Sequence, residues 1–178
     1  MPGLKNVLEH QESEFTLLGT PDNYKQILGT WELESSENFV EFMGALGVSS
    51  FMLMGEDVMK PIIVFSFVNQ LNQFKIETST ALKKCELVFS LGEPFVEITG
   101  DGRRTNSTVQ LEGNIMTHVQ NGELARGEKS TTIVRIFKES SLETECTITG
   151  PGEKISCKRV YKRIQDDYAL QDLSLCPI

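Results

Sequence analysis

The chain has 178 residues, of which 39% are hydrophobic and 24% are charged; this composition is typical of one globular domain and excludes collagen-like, wholly disordered and disulfide-scaffold proteins. The formal net charge of -8 argues against a nucleic-acid partner, because binding to a phosphate backbone requires clustered lysine and arginine side chains. No apolar run approaches the roughly 18 residues of a membrane-spanning helix.

The two ends of the chain differ from its middle. Residues 1–28 mix polar and apolar side chains without a sustained period, and residues 165–178 are short and acidic. We expect both to be disordered extensions around a single domain at residues 29–164. The amino terminus lacks the apolar stretch of a secretory signal, and the four cysteines are widely spaced. We therefore expect the cysteines to be free thiols and the protein to be cytoplasmic, with the nucleus as a further compartment.

From Gly29 onward, alternating or β-branched stretches are separated by Gly, Asn, Asp or Pro every 8–12 residues. This spacing is typical of an antiparallel barrel or sandwich. Ten strands are predicted, at residues 29–35, 61–69, 73–80, 84–90, 95–99, 103–111, 114–120, 129–137, 142–149 and 154–163. Because a sheet of this size can curl into a closed or nearly closed barrel that has no exposed edge, we predict an all-β, ten-stranded antiparallel barrel.

The strand pattern is interrupted once, between residues 36 and 60. An apolar stripe at helical spacing is formed by Phe39, Phe42, Met43 and Leu46. We predict a helix there with Ser36 as its cap, followed by a second short helix that begins near Ser49 and ends before Pro61. The pair is a helix-turn-helix lid between the first two strands. Such apolar stripes more often pack in a core than contact a ligand.

Signatures of catalysis and of metal binding are missing from the sequence. His10 and His118, the two histidines of the chain, lie far apart, and no HExxH, Walker A or GxGxxG motif occurs. A strand histidine without an identifiable partner is more often packed or exposed than catalytic. We therefore expect no enzyme activity, no metal and no cofactor.

The last predicted strand carries two candidate binding residues. Side chains alternate across a strand, so Arg159 and Tyr161 share one face and the two neighbouring lysines take the other. Most strand arginines are surface charges, and an inward Arg159 is the less common alternative. The alternation leaves both interpretations open.

A set of short motifs resembles, in order and approximate spacing, the intracellular fatty-acid-binding proteins across residues 29–164. The motifs are Gly29-Thr30-Trp31, Ser35-Ser36-Glu37-Asn38-Phe39, Lys60-Pro61, Asp101-Gly102-Arg103, His118-Val119-Gln120, Ser130-Thr131-Thr132 and Arg159-Val160-Tyr161. The resemblance implies a lipocalin-like (calycin) β-clam in which a helical lid covers a water-containing cavity that encloses one lipid.

The same resemblance implies the binding residues. The carboxylate site of the family falls on Arg135, Arg159 and Tyr161. Two buried guanidiniums are costly alone, and a bound carboxylate supplies the missing charge. Arginine at both positions favours an acid over an alcohol. The implied cavity and portal residues are Phe39, Phe42 and Met43 of the lid, Leu82 beside the portal, and the polar pair Asp101 and Arg103, which is expected to line a water network.

The implied function is noncovalent binding and intracellular transport of a long-chain fatty acid or a similar hydrophobic carboxylate by a monomer, without turnover. Retinoic acid carriage is the nearest alternative, because it uses the same three residues. A membrane or protein interaction module that works through its lid and tails is another. Leu53-Met54, followed by Glu56-Asp57, stands where many members carry an Arg-Lys pair, so transient membrane contact through the lid is expected to depend weakly on charge.

Overall fold

The computed structural model describes residues 24–49, 60–68, 71–80, 83–150 and 154–164. In these residues ten strands form one antiparallel sheet in the order β4-β3-β2-β1-β10-β9-β8-β7-β6-β5. The strands are β1 (Gly29–Glu37), β2 (Ile62–Val68), β3 (Gln73–Ser79), β4 (Lys84–Phe89), β5 (Phe95–Ile98), β6 (Arg104–Glu112), β7 (Ile115–Gly122), β8 (Ser130–Phe137), β9 (Ser141–Thr149) and β10 (Ser156–Ile164). The sheet curls into a nearly closed barrel, which confirms the predicted fold class.

Strand β7 illustrates why these residues form a curled sheet. Met116, His118 and Gln120 are buried, while the residues between them are partly exposed. This period of two places one face of the strand inside the barrel. Among the described residues, no helix is long and apolar enough to cross a membrane.

The interior contains two clusters of apolar side chains. The larger includes Trp31, Phe65 and Phe137, whose rings meet edge to face with centroids 5.0 Å apart for Phe65 and Phe137 and 5.8 Å apart for Trp31 and Phe137. Such edge-to-face pairs stabilise a core beyond the area that they bury. The smaller cluster joins Phe42 of the lid to Ile148 and Cys157. The helix that carries Phe42 therefore packs on β9 and β10.

The helix of the lid, α1 (Phe39–Ala45), begins without the predicted cap. Ser36 lies inside β1, where it pairs with Arg159, because pairing with β10 extends β1 to Glu37. The chain leaves the strand at Asn38, whose φ of 59° is left-handed and whose side-chain amide donates a 2.8 Å hydrogen bond to the carbonyl of Ser156. The expectation for Ser36 was wrong, since strand pairing outweighs local capping. The predicted second helix lies outside the described residues.

Residues 24–28, which were expected to belong to the amino-terminal extension, pack against the barrel core. Ile27 is fully buried, and the ring of Tyr24 contacts Phe67 and Phe74 at centroid distances of 5.3 and 4.8 Å. The Arg163 guanidinium donates hydrogen bonds of 2.7 Å to the carbonyl of Leu28 and 2.6 Å to that of Gln26. We therefore place the start of the barrel no later than Tyr24. The other residues of both predicted extensions lie outside the described part of the chain.

Candidate ligand-binding site

A cavity of about 340 Å³ lies inside the barrel beneath α1, a size within the usual range of small-molecule sites. Its wall includes every predicted site residue that the structure describes, namely Phe39, Phe42, Met43, Asp101, Arg103, Arg135, Arg159 and Tyr161. Leu82, the predicted portal residue, lies outside the described residues. The structure thus brings residues from one helix and several strands to a single cavity.

Arg135, Thr144 and Arg159 form a row across three neighbouring strands. Arg135 of β8 pairs with Thr144 of β9, which in turn pairs with Arg159 of β10. The Nε atoms of both arginines, Nη1 of Arg135 and Oγ1 of Thr144 are buried and have no hydrogen-bond partner among the described residues. Buried polar groups are normally paired, so this row is chemically incomplete.

Tyr161 lies two residues beyond Arg159 on the same face of β10 and is 3% exposed. Burial raises the pKa of Tyr161, so its phenol stays neutral and can donate an O–H hydrogen bond. Burial also lowers the pKa of Arg135 from its ordinary value, although a guanidinium stays charged at neutral pH. Two cations and two hydroxyls therefore line one side of the cavity. An anion with several acceptor oxygens is the chemical complement of such a group.

Both guanidiniums pack against aromatic rings. The Cζ atom of Arg159 lies 4.1 Å from the ring centre of Phe39 and 5.8 Å from that of Tyr161. The Cζ atom of Arg135 lies 5.9 Å from the ring centre of Phe65. Cation-π contacts of this kind stabilise a buried guanidinium and leave its N–H edges available to a ligand. Phe39 also connects the lid directly to Arg159.

A chain of hydrogen bonds begins at the Asp101 and Arg103 pair of the cavity wall. Arg103 Nε donates to Asp101 Oδ2 over 2.6 Å, and Nη1 donates to the carbonyl of Lys129 over 2.5 Å. Burial raises the pKa of Asp101, but the hydrogen bonds from Arg103 and Thr99 outweigh it and hold that pKa below its usual range. The pair is thus fully engaged with its protein neighbours. Its part in a water network remains a prediction.

The same polar wall continues to residues that no sequence signal had assigned to the site. Thr131 donates a 2.6 Å hydrogen bond to Gln120 Oε1, and Gln120 Nε2 donates one of 3.0 Å to Glu97 Oε1. His118 Nε2 lies 2.7 Å from the same carboxylate oxygen. The alternation along β7 could have placed His118 and Gln120 inside, but Glu97 meets them only through the pairing of three strands.

Two of the cysteines are paired across neighbouring strands. Cys146 of β9 lies opposite Cys157 of β10, and Cys146 lines the cavity. A hydrogen bond between the two thiols lowers the pKa of Cys146 and raises that of Cys157. Cys85, Cys146 and Cys157, the described cysteines, are all free thiols, as expected.

Comparisons with known proteins identify the family, although no family model matches the chain. The chain is 35% identical over 138 residues to the adipocyte fatty acid-binding protein of Pygoscelis papua, covering 78% of this chain and 97% of that protein. It is 34% identical over 137 residues to the human protein named fatty acid-binding protein 9, covering 77% of this chain and 96% of the relative. A solved structure of a Schistosoma mansoni fatty acid binding protein in complex with arachidonic acid matches with a TM-score of 0.70 and 27% identity, over 80% of this chain and 99% of that one. The chain belongs to the fatty-acid-binding protein family.

Proposed function

We propose that this protein binds long-chain fatty acids noncovalently and carries them within the cell without chemical turnover. The observation that carries the proposal is the row of Arg135, Thr144 and Arg159 in the cavity wall. Both Nε atoms, Arg135 Nη1 and Thr144 Oγ1 are buried there without a hydrogen-bond partner among the described residues. The ligand carboxylate accepts hydrogen bonds from the two guanidiniums and from Tyr161. Similarity to proteins that are named for fatty acids supports this assignment.

The remainder of the cavity suits an acyl chain. Apolar side chains on β2, β3 and β4, together with the lid, offer a path away from the arginines; they are Ile63, Ile76, Leu87, Phe42 and Met43. Burying an acyl chain yields about 0.8 kcal/mol per CH₂, on the order of 10 kcal/mol for a long chain before the costs of association. The acyl chain thus supplies most of the binding affinity, and the carboxylate sets the orientation of the ligand in the cavity.

The proposed carrier acts as a monomer in the cytoplasm, with the nucleus as a further compartment. The free thiols of the described cysteines are compatible with a reducing environment. Identification by mass spectrometry of the lipid that is extracted from purified protein tests the ligand class directly. Recovery of a long-chain fatty acid is the expected result, whereas recovery of a retinoid acid would favour the alternative carrier function.

Site variants test the carboxylate residues. Arg135→Gln and Arg159→Gln each remove a charge-assisted hydrogen bond, so the affinity for hexadecanoic acid should fall about 10- to 150-fold. Lys158→Gln is the matched control, because Lys158 is the exposed neighbour of Arg159 on the same strand. Equal affinity of the unmodified protein for hexadecanoic acid and its methyl ester would overturn the proposal.

A further inference from the structure

His118 occupies a part of the cavity wall that the carboxylate site leaves unused. Its side chain is 2% exposed, and Nε2 lies 2.7 Å from Glu97 Oε1. The other ring nitrogen, Nδ1, is buried and has no hydrogen-bond partner among the described residues. His118 and Arg135 both line the cavity, so the unpaired nitrogen belongs to a side chain of the cavity wall.

The partners of Glu97 determine which ring nitrogen carries the proton. Burial raises the pKa of Glu97, but hydrogen bonds from His118, Ser107 and Gln120 outweigh it and keep that pKa low. An ionised carboxylate only accepts hydrogen bonds, so the proton of His118 is on Nε2. Burial lowers the pKa of His118 and, together with the charge of Arg135, outweighs the opposing hydrogen bond to Glu97, so the ring is neutral at neutral pH. Nδ1 therefore presents a lone pair, which accepts a hydrogen bond and cannot donate one.

The strand register places this acceptor close to the carboxylate site. Arg135 pairs with Met116, and His118 lies two residues farther along β7 on the same face. Such diagonal neighbours on adjacent antiparallel strands have Cα atoms about 7–8 Å apart. A fatty acid whose carboxylate is held by Arg135 therefore passes His118 with the part of its chain nearest the carboxylate.

Unsubstituted and hydroxylated acyl chains differ in what they offer to Nδ1. An unsubstituted acyl chain offers no hydrogen-bond donor and leaves the buried acceptor unpaired, which is costly. A hydroxyl group on the chain donates a hydrogen bond to the same lone pair. Sites that are built to bind a hydroxyl discriminate strongly against the analogue that lacks it.

We infer, on the basis of the proposed function, that His118 Nδ1 is a subsite for a hydroxyl group on the acyl chain and that the cavity prefers hydroxylated fatty acids to unsubstituted ones. The expected preference is on the order of 10-fold for the hydroxyl position that reaches Nδ1. The preference depends on the donated proton, so an ether or a ketone at the same carbon lacks it.

The test compares probes of one chain length by competition with a fluorescent fatty acid on the full chain. The probes are hexadecanoic acid, monohydroxy acids in which the hydroxyl moves one carbon at a time from the carboxylate to mid-chain, and the methyl ether and keto analogue of each. A maximum of affinity at one hydroxyl position, absent from both analogues, is the expected result. Equal binding of all hydroxy acids and hexadecanoic acid, or an equal gain for the keto acid, overturns the inference.

Variants of His118 test whether this residue causes the preference for hydroxylated fatty acids. His118→Phe should bring the affinity ratio of hydroxy acid to hexadecanoic acid close to one, and His118→Asn should retain part of it, because the amide oxygen lies near the position of Nδ1. Thr117→Val is the matched control, since Thr117 is the neighbour of His118 on the opposite face of β7 and is not part of the cavity wall. A ratio that is unchanged in His118→Phe contradicts the inference.

Different results would contradict the proposed function and the proposed subsite. If the carboxylate site is wrong, hexadecanoic acid and its methyl ester bind equally well. If only the subsite is wrong, the acid binds more tightly than its ester, and the hydroxy acids equal the unsubstituted acid.

Discussion

The arginines of the cavity wall divide into two kinds according to their partners. Arg103 is paired with Asp101 and donates further hydrogen bonds to Lys129 and Thr131, so its charge is compensated within the protein. Arg135 and Arg159 retain buried nitrogens without partners among the described residues. An unpaired buried charge costs stability, whereas a paired one is costly to disrupt. The unpaired arginines are therefore expected to weaken the ligand-free protein.

This difference predicts opposite effects of two similar substitutions. Arg135→Met should raise the melting temperature of the ligand-free protein and abolish the further rise that hexadecanoic acid causes, because it removes an uncompensated charge together with a ligand contact. Arg103→Met should lower the free energy of unfolding by about 3–5 kcal/mol, because it leaves the Asp101 carboxylate unpaired. Differential scanning fluorimetry with and without the acid measures both. A loss of stability in Arg135→Met would show that its charge is already compensated.

The polar wall also predicts how stability depends on pH. The pKa of His118 is lowered in the folded protein from its ordinary 6.5, so the unfolded chain binds a proton first and stability falls as the pH drops below 6.5. The pKa of Glu97 is lowered from 4.5, so its contribution is lost only below pH 4.5. His118→Asn should flatten the decline between these two values, and Glu97→Gln should flatten the decline below the second. Urea titrations at several pH values check both, and a flat profile in the unmodified protein contradicts them.

The proposed carboxylate site was predictable only in part from the residues themselves. Alternation along β10 places Arg159 and Tyr161 on one face but does not say that this face is inside, and only the family resemblance added Arg135. Glu97 was not predictable, because its partner His118 is 21 positions away and reaches it through two strand pairings. Long-range pairing of this kind leaves no local signal in the sequence.

At the scale of elements, the connection between β7 and β8 reaches the lid. Lys129 Nζ donates a 2.6 Å hydrogen bond to the carbonyl of Ala45, the last residue of α1. Arg103 holds the backbone of Lys129, and the Glu128 carboxylate accepts hydrogen bonds from the backbone N–H groups of Arg104 and Glu123. A cation at a helix carboxyl end is also favourable for the helix dipole. The connection between β7 and β8, residues 123–129, thus fastens one end of α1.

This contact predicts faster ligand exchange when it is removed. Lys129→Met should increase both the association and the dissociation rate of a fluorescent fatty acid several-fold, with a much smaller change in affinity, because the bond restrains the lid rather than the ligand. Stopped-flow fluorescence measures both rates. Lys138→Met is the control, since Lys138 is an exposed lysine that pairs with Glu143 instead. Unchanged rates in Lys129→Met would mean that the lid opens without breaking this bond.

The boundaries of the strands were more predictable than the start of the helix. Turn residues and alternation located all ten strands to within two residues, because turn chemistry and a half-buried face are both local properties. The helix start was displaced because the pairing of β1 with β10 carries Ser36 into a strand. Cross-strand hydrogen bonds over several residues stabilise more than a single side-chain cap.

At the scale of the whole molecule, side-chain contacts close the barrel between its two edge strands. The sheet ends at β4 and β5, which are not neighbours in its strand order. Phe89 of β4 stacks on Phe95 of β5 with centroids 5.9 Å apart, and Lys83 Nζ donates a 3.0 Å hydrogen bond to the carbonyl of Gly100. The cavity wall therefore continues across this gap.

The contacts of residues 24–28 predict how much of the amino terminus the barrel needs for stability. Ile27 is fully buried, and losing a buried isoleucine alone costs about 1.5–3 kcal/mol. Deleting residues 1–28 also removes the Tyr24 ring and the carbonyls of Gln26 and Leu28 that accept hydrogen bonds from Arg163, whose Cζ atom lies 4.1 Å from the ring centre of Trp31. We expect this deletion to lower the melting temperature by many degrees, whereas deletion of residues 1–23 should leave a cooperative transition near that of the full chain. Circular dichroism during heating distinguishes the two. Equal melting temperatures for both truncations would show that residues 24–28 cover the barrel without stabilising it.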